Sequence, residues 1–369
     1  MYLGVLPSSP WQHQRIWPAS PDFTAHSMEP ALYTRLARTC DRAGIDVLFL
    51  PDKQVANASP PDPTVADSWF DPLTMFAYLA AVTDRIGLVP TLSTTWFEPY
   101  PLARQILSLD HLSGGRAGWN AVSSHPGLED ANFGHRPVLT REQMKARHAE
   151  AVSLVKDLWT SWDSDAVTHD AATGQWFRPG SVHPVDHHGR FFDVTGPLTL
   201  CRSPQDSPVL FMAGASENFL HTAAKDADVV FTALNDVDAA RTMALTLASF
   251  SEEEGRGDGA PRLMPGFFVS ASSFPEYGTD AQSWVPGMHF HSPAGPEPAT
   301  GAEVAAEMVR IVEETGIDGF IVMPRQIPED ITFLCDEVVP ALVELGARPE
   351  PSGNPEAAPS TLRANLGFV

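Results

Sequence analysis

Eight short apolar runs alternate with amphipathic stretches along nearly the whole chain, and nothing else restricts the possible folds as much. The runs are Tyr2–Leu6, Asp46–Leu50, Ile86–Leu92, Ala117–Val122, Val209–Ala213, Asp228–Thr232, Met264–Ser270 and Gly319–Met323, each closed by Gly, Pro, Ser or Asp. Short, near-continuous apolar runs are the pattern of strands covered on both faces of a parallel sheet. The stretches between them carry helical spacing. Pro30–Ala43 sets Leu32, Leu36 and Ala43 on one face, and Arg141–Trp159 does the same with Val152, Val155, Leu158 and Trp159. Asp71–Thr83 opens on an Asp-Pro start, and Pro101–His111 stops at Ser113-Gly114-Gly115. Ser216–Asp226, Val237–Glu254, Ala302–Thr315 and Pro328–Leu345 complete the set. One helix after each of eight strands predicts an α/β chain folded as a (β/α)8 TIM barrel.

Four stretches interrupt the alternation and read as insertions: Ser8–Met28, Gln54–Asp67, Ser161–Pro208 and Ala271–Gly301. The first, second and last leave the carboxyl ends of strands. They are therefore expected at the mouth, where barrel enzymes do their chemistry. A Pro-rich tail from about residue 347 is expected to pack on the surface or on a partner subunit. With 369 residues, 43% of them apolar, residues 1–369 can build the barrel as a single domain.

The formal net charge of -22 repels phosphate backbones and anionic lipid, which argues against nucleic acid and membrane partners. No apolar run approaches the roughly 18 residues needed to span a bilayer. The N-terminus lacks the basic and apolar regions of a secretory leader. Cys40, Cys201 and Cys335 make no metal spacing and read as small buried hydrophobes. A cytoplasmic protein is the expectation.

A polar set gathers at the strand ends: Asp52 after VLFLP, Thr91, Ser93, Thr94 and Thr95 around the third strand, Asn120 in RAGWNAVSS, and Gly214, Ala215 and Ser216 in the AGAS turn. Backbone N–H groups of that turn and the Ser216 hydroxyl suit a phosphate at a helix N-terminus; a plain Ser216 N-cap is the simpler reading. Trp96 offers an apolar wall for a planar substrate, or packing beneath a lid. His289 and His291, in GMHFHS, are candidates to face the reacting substrate. His183, His187 and His188 cluster outside the alternation with no carboxylate set at the strand ends, so no metal is expected. There is no GxSxG elbow and no HExxH.

The run LSLDHLSGGRAGWNAVSS (107–124), with ANFG (131–134), LVKDLWTSWDSDA (154–166), VHPVDHHGRFFDVTGPL (182–198), SPQDSPVLFMAGASE (203–217), ADVVFTA (227–233), DGFIVMP (318–324) and LRANLGF (362–368), resembles a group of bacterial-luciferase-like flavin-dependent monooxygenases. The group contains nitrilotriacetate monooxygenase, pristinamycin synthase and dibenzothiophene-sulfone monooxygenase. The blocks are collinear and span nearly the whole chain. The resemblance implies a barrel that takes reduced FMN from a separate flavin reductase, reacts it with O2 through a flavin C4a-peroxide, and oxygenates a small organic substrate. Homodimers or homotetramers are implied as well. Carried over by position, Asp52 and Thr91/Ser93 would lie near the flavin ring, Asn120 is the Asn of the GWN motif, and Ser216 binds the phosphate. His13 matches the histidine of the first mouth loop and, with His289, is a catalytic candidate. Trp17, Trp96 and His291 are the substrate-facing candidates.

Two departures stand out. Where the family often has H-x-x-R-Y at the start of the fourth helix, this chain has Arg141 and Lys145 in the His and Tyr places, which keeps two donors and removes a ring. The 271–301 loop is also shorter than the family's usual excursion. A deazaflavin-dependent oxidoreductase on the same barrel, or a degenerate flavin-binding protein, are the alternatives. Substrate identity is not legible, although 24 Lys and Arg against 46 Asp and Glu argue against a highly anionic chelate.

Overall fold

The computed structural model describes residues 1–7, 20–56, 62–66, 68–124, 129–134, 139–234, 236–269, 288–289, 299–351 and 360–368. In chain order its elements begin β1 (Tyr2–Val5), α1 (Pro21–His26), α2 (Pro30–Arg42), β2 (Val47–Leu50), α3 (Pro72–Ala80), β3 (Gly87–Ser93), α4 (Pro99–Ser113), β4 (Gly118–Val122) and α5 (Arg141–Trp159). Four short strands follow: β5 (Val167–Asp170), β6 (Gln175–Phe177), β7 (His187–His188) and β8 (Asp193–Val194). Then come β9 (Val209–Ala213), α6 (Glu217–Asp226), β10 (Val229–Thr232), α7 (Val237–Glu253), β11 (Arg262–Val269), β12 (Met288–His289), α8 (Gly301–Thr315) and β13 (Gly319–Pro324). The chain ends on α9 (Glu329–Phe333), a π-helical turn (Leu334–Val338), α10 (Val339–Glu344) and α11 (Leu362–Asn365).

Eight parallel strands run β10-β9-β4-β3-β2-β1-β13-β11, and β10 pairs with β11 to close the ring. This is the expected barrel. The observed strands differ from the apolar runs by at most two residues at either end. The start and stop signals act as read: the Asp71 side chain accepts the Thr74 N–H, and Gly114 ends α4 at φ 70°. The last helix departs from expectation, because its span contains the π turn. Pro340 has no N–H to offer four residues back, and the widened turn absorbs the missing bond.

Alternation along the strands makes two cores. Outward residues such as Leu3, Leu48, Trp119 and Leu210 pack under the helices; inward ones such as Val47, Phe49, Phe211, Phe231, Phe268 and Ile321 fill the barrel. Phe49 meets Phe231 and Phe211 at centroid distances of 5.4 and 6.0 Å. Leu362, Leu366 and Phe368 join the inner core from below, so the LRANLGF ending plugs the floor. A Cβ on Gly87 would collide with Leu362, which explains a glycine at that strand start. Arg116 is buried beside the floor and donates to the carbonyls of Ala80, Thr83, Ile86 and Ser113. Asp110 accepts from Ala117 N, Ser203 Oγ and Gln205 Nε2. A barrel interior plugged from below by Leu362, Leu366 and Phe368 leaves the other end for chemistry.

The 161–208 insertion is tied to α5 through Glu150, whose carboxylate accepts His187 Nε2 and the backbone N–H of Arg190, Phe191 and Phe192. His183 pairs with Asp163 and His188 with Asp193, so each histidine of that cluster is matched to a different carboxylate.

Candidate active site at the barrel mouth

Asp52 leaves the end of β2. Its Oδ1 accepts Trp69 Nε1 at 3.3 Å, and its Oδ2 takes the Gln54 side-chain amide. Burial pushes its carboxyl up to about 7; the Trp69 bond opposes that, and the charges of Asp71 and Glu129 add to it. Asp52 therefore exchanges its proton near neutral pH. A cavity of about 470 Å³ opens beside it, lined by Asp52, Gln54, Trp69, Asp71 and Asn132 among others. A larger cavity of about 810 Å³ lies at the floor around Asp228, Arg256 and Arg363, away from the strand carboxyl ends.

Asn120 points inward from β4, on the face opposite Trp119. Its Nδ2 donates to Thr91 Oγ1 on β3 at 2.8 Å, and both residues are buried. Its Oδ1 is buried without a hydrogen-bond partner among the described residues. Turning the amide over exchanges the two ends and still leaves one unmatched, so the residue is set for a ligand that completes it. Ser93 is already occupied. Its Oγ lies 2.7 Å from Ser124 Oγ and accepts Thr95 N–H, which fixes the turn after β3.

Gly214, Ala215 and Ser216 form the turn from β9 into α6. The Phe219 ring lies where a Gly214 side chain would stand, 2.7 Å from the position of its Cβ. Ser216 is the N-cap and accepts Phe219 N–H at 3.3 Å. An accepting hydroxyl still has its own proton to donate, so the cap leaves the phosphate role open. Arg141 and Lys145 are exposed on the first turns of α5, where a Thr140–Gln143 capping box fixes the helix start.

Trp96 is buried and stacks on Phe133 at 4.4 Å and 9°. His289 lies on β12 with its backbone in register with Phe268. His13, Trp17 and His291 fall outside the described residues.

Sequence reasoning missed Glu129. It is buried, accepts Gln54 N–H at 2.9 Å through Oε1 and takes the Trp96 indole N–H through Oε2. Asn132 Nδ2 donates to Gln54 O at 2.7 Å. One carboxylate thus fastens the loops after β2, β3 and β4 to each other. Its signal was its place two residues before ANFG. Arg325 was also missed, although it directly follows DGFIVMP. It stands one step beyond β13 with its guanidinium 5.4 Å over the Phe268 ring.

The sequence model of luciferase-like monooxygenases matches residues 13–284. The chain belongs to this family. N-acetyl-S-(2-succino)cysteine monooxygenase of Bacillus subtilis (strain 168) is 32% identical across 99% of this chain and 96% of that relative. Dibenzothiophene-sulfone monooxygenase of Rhodococcus erythropolis is 30% identical across 97% and 92%. Among solved structures, EDTA monooxygenase from Chelativorans sp. BNC1 superposes with a TM-score of 0.83 at 26% identity, over 100% of this chain and 98% of that one. A monooxygenase on a luciferase-like barrel is therefore an oxidoreductase, and its chemistry belongs at the mouth.

Proposed function

We propose that this luciferase-like chain is the oxygenase of a two-component system, taking reduced FMN from a separate flavin reductase and using O2 to oxygenate a small organic substrate. The observation that carries the reading is the Asn120 amide, buried at the mouth with one end unmatched. A flavin ring edge, with its N–H and C=O groups, suits either end of an amide. When bound, reduced FMN supplies two electrons to O2, so that one oxygen atom enters the substrate and the other leaves as water.

The chain's own work is positioning, proton holding and exclusion of water. Thr91 fixes the Asn120 amide plane. Asp52 holds or releases a proton at its carboxyl near pH 7. Ser216 and the N–H groups at the start of α6 favour the FMN phosphate, with Arg141 and Lys145 adding positive charge. Glu129 ties Trp96 to the Gln54 loop, and a fixed loop on that side helps to keep water from the reacting centre. His13 and His289 stay the acid–base candidates, with Trp17, Trp96 and His291 on the substrate side. A homodimer or homotetramer is the assembly we favour. The relatives' names span polycarboxylates and an uncharged sulfone, so they do not choose a substrate.

The test is an anaerobic titration of flavin-free protein with reduced FMN, then mixing with O2. Saturable binding at about 1 µM or tighter, with flavin reoxidation slower than in free solution, is the expected result. Absence of saturable binding, or a preference for a reduced deazaflavin, would overturn the reading.

A further inference from the structure

The floor cavity of about 810 Å³ has no part in the reaction proposed at the mouth. Among the described residues four cations line it, Lys156, Lys225, Arg256 and Arg363, against three carboxylates, Asp206, Asp226 and Asp228. Asp206 is already held from outside the cavity by Arg202, at 2.9 Å to Nε and 2.8 Å to Nη2. Arg363 binds Asp228 through both prongs, and Lys156 binds Asp226 at 3.3 Å. Arg256 and Lys225 are left over. A cavity with two surplus positive charges therefore sits in a chain of net charge -22.

Both surplus cations have N–H groups to spare. Arg256 Nη1 closes the end of α6 by donating to Ala224 O, Lys225 O and Ala227 O. Its Nη2 stands 3.9 Å from Asp228 Oδ1, beyond hydrogen-bond reach. Burial lowers the Arg256 pKa, Asp228 and Asp226 oppose this, and the Arg363 charge adds to the lowering. A guanidinium keeps its proton through such a shift. Lys225 is exposed and makes no ion pair among the described residues. Lys156 spends one of its ammonium N–H bonds on Asp226 and keeps the others. Lysines in the last turns of α5 and α6 also offset the helix dipoles. That role needs no shared cavity, and it leaves Arg256 Nη2 unexplained.

The space is of the size that holds a small organic molecule, and Pro208, Leu210 and Phe368 give it an apolar side. A bare inorganic ion would leave that side unused. A phosphate monoester carries about two negative charges near pH 7, which matches the surplus. Its oxygens accept from guanidinium and ammonium alike. We propose that the floor cavity is a second ligand site, separate from the mouth, and that it takes a small phosphate monoester with an apolar body. The phosphate goes to Arg256, Lys225 and Lys156, and the body lies against Leu210 and Phe368. Arg363 and Phe368 belong to the C-terminal segment and line the same cavity. A bound ester thus holds that segment to the ends of α5 and α6, and its binding stabilises the fold.

The experiment uses full-length protein and phenyl phosphate, with phenol as the neutral control, followed by calorimetry and thermal unfolding. FMN is itself a phosphate monoester, so the mouth has to be kept out of the reading. Ser216→Asp places a negative charge at the start of α6 and serves as the background. In that background phenyl phosphate should bind with a Kd of about 0.01–1 mM and raise Tm, and phenol should bind at least about tenfold more weakly. Lys225→Glu, added to it, reverses an exposed charge. It should weaken the ester about 10- to 100-fold, the range of one charge-assisted contact, and remove the rise in Tm. Lys156→Gln should act in the same direction. The proposal is overturned by no binding of the ester to wild type up to about 10 mM, by equal binding of ester and phenol, or by an affinity that survives both lysine variants. It is also overturned if Ser216→Asp alone abolishes binding of the ester, because the ester then sits at the mouth.

Discussion

Arg363 grips Asp228 across the barrel floor with both prongs, Nη1 to Oδ1 at 3.2 Å and Nη2 to Oδ2 at 2.9 Å. The same carboxylate accepts Leu210 N–H at 2.8 Å, so the pair joins the C-terminal segment to β9 and β10. Leu362, beside Arg363, is fully buried in the inner core. Leu362→Ala should therefore cost about 2–5 kcal/mol by opening a cavity under the strands. Arg363→Ala should cost about 1–3 kcal/mol by leaving a mostly buried carboxylate short of its partner. Urea unfolding reads both. Since the floor lies away from the mouth, flavin affinity of the folded fraction should stay within about twofold of wild type. A large loss of flavin affinity without loss of stability would contradict this division of the barrel.

Asn120 tests the mouth. Asn120→Ala removes the unmatched amide end together with the bond to Thr91. Reduced-FMN binding should weaken about 3- to 10-fold, the size of one neutral hydrogen bond. Fluorescence titration of the variant against wild type decides it. Unchanged affinity would mean that the flavin does not reach β4.

Why the fold was legible and the site only partly so follows from what each residue does. The eight apolar runs are strands because both their faces are covered, and burial leaves its mark on every residue of a run. The site does not. Within LSLDHLSGGRAGWNAVSS, the longest block of the resemblance, Asp110 and Arg116 are the conspicuous charges, yet both belong to the floor network. Asn120 and Ser124, further along that block, are the polar side chains that reach the mouth. Glu129 and Arg325 sit just outside regular elements, and nothing in local sequence tells that a loop carboxylate will meet a distant indole. Their roles depend on contacts between loops from different strands, which strand order sets and local pattern does not.

Asp52 ties stability to pH, and under the proposed function it ties the chemistry to pH as well. Burial raises its carboxyl from 3.8 to about 7. The folded protein thus holds this proton more tightly than the unfolded chain does. The resulting stability is fully present below about pH 4 and is lost as pH rises through 7. Asp52→Asn keeps the neutral form at every pH. Its stability relative to wild type should grow between pH 4 and 7 and level off above, by about 1–3 kcal/mol once screening at the open cavity is allowed for. Denaturant midpoints at pH 5 and pH 8 measure this. An inflection near pH 7 in the wild-type rate of flavin reoxidation should vanish in the variant. A stability difference equal at both pH values would show that Asp52 is not the titrating group.

Ser216 gives the sharpest test of the phosphate. The residue caps α6 by accepting Phe219 N–H, so Ser216→Ala removes a cap worth about 0.5–2 kcal/mol and blurs any effect on ligand. Ser216→Asp separates the two roles. Aspartate caps as well as serine, and its charge favours a helix N-terminus, so thermal stability should hold or rise. The same charge repels a phosphate. FMN affinity should fall more than about tenfold while riboflavin, which lacks the phosphate, binds as it does to wild type. Arg141→Ala with Lys145→Ala should weaken FMN further at low salt and lose most of that effect at high salt, since both side chains are exposed. Equal responses of FMN and riboflavin to Ser216→Asp would place the phosphate elsewhere and leave Ser216 as a helix cap.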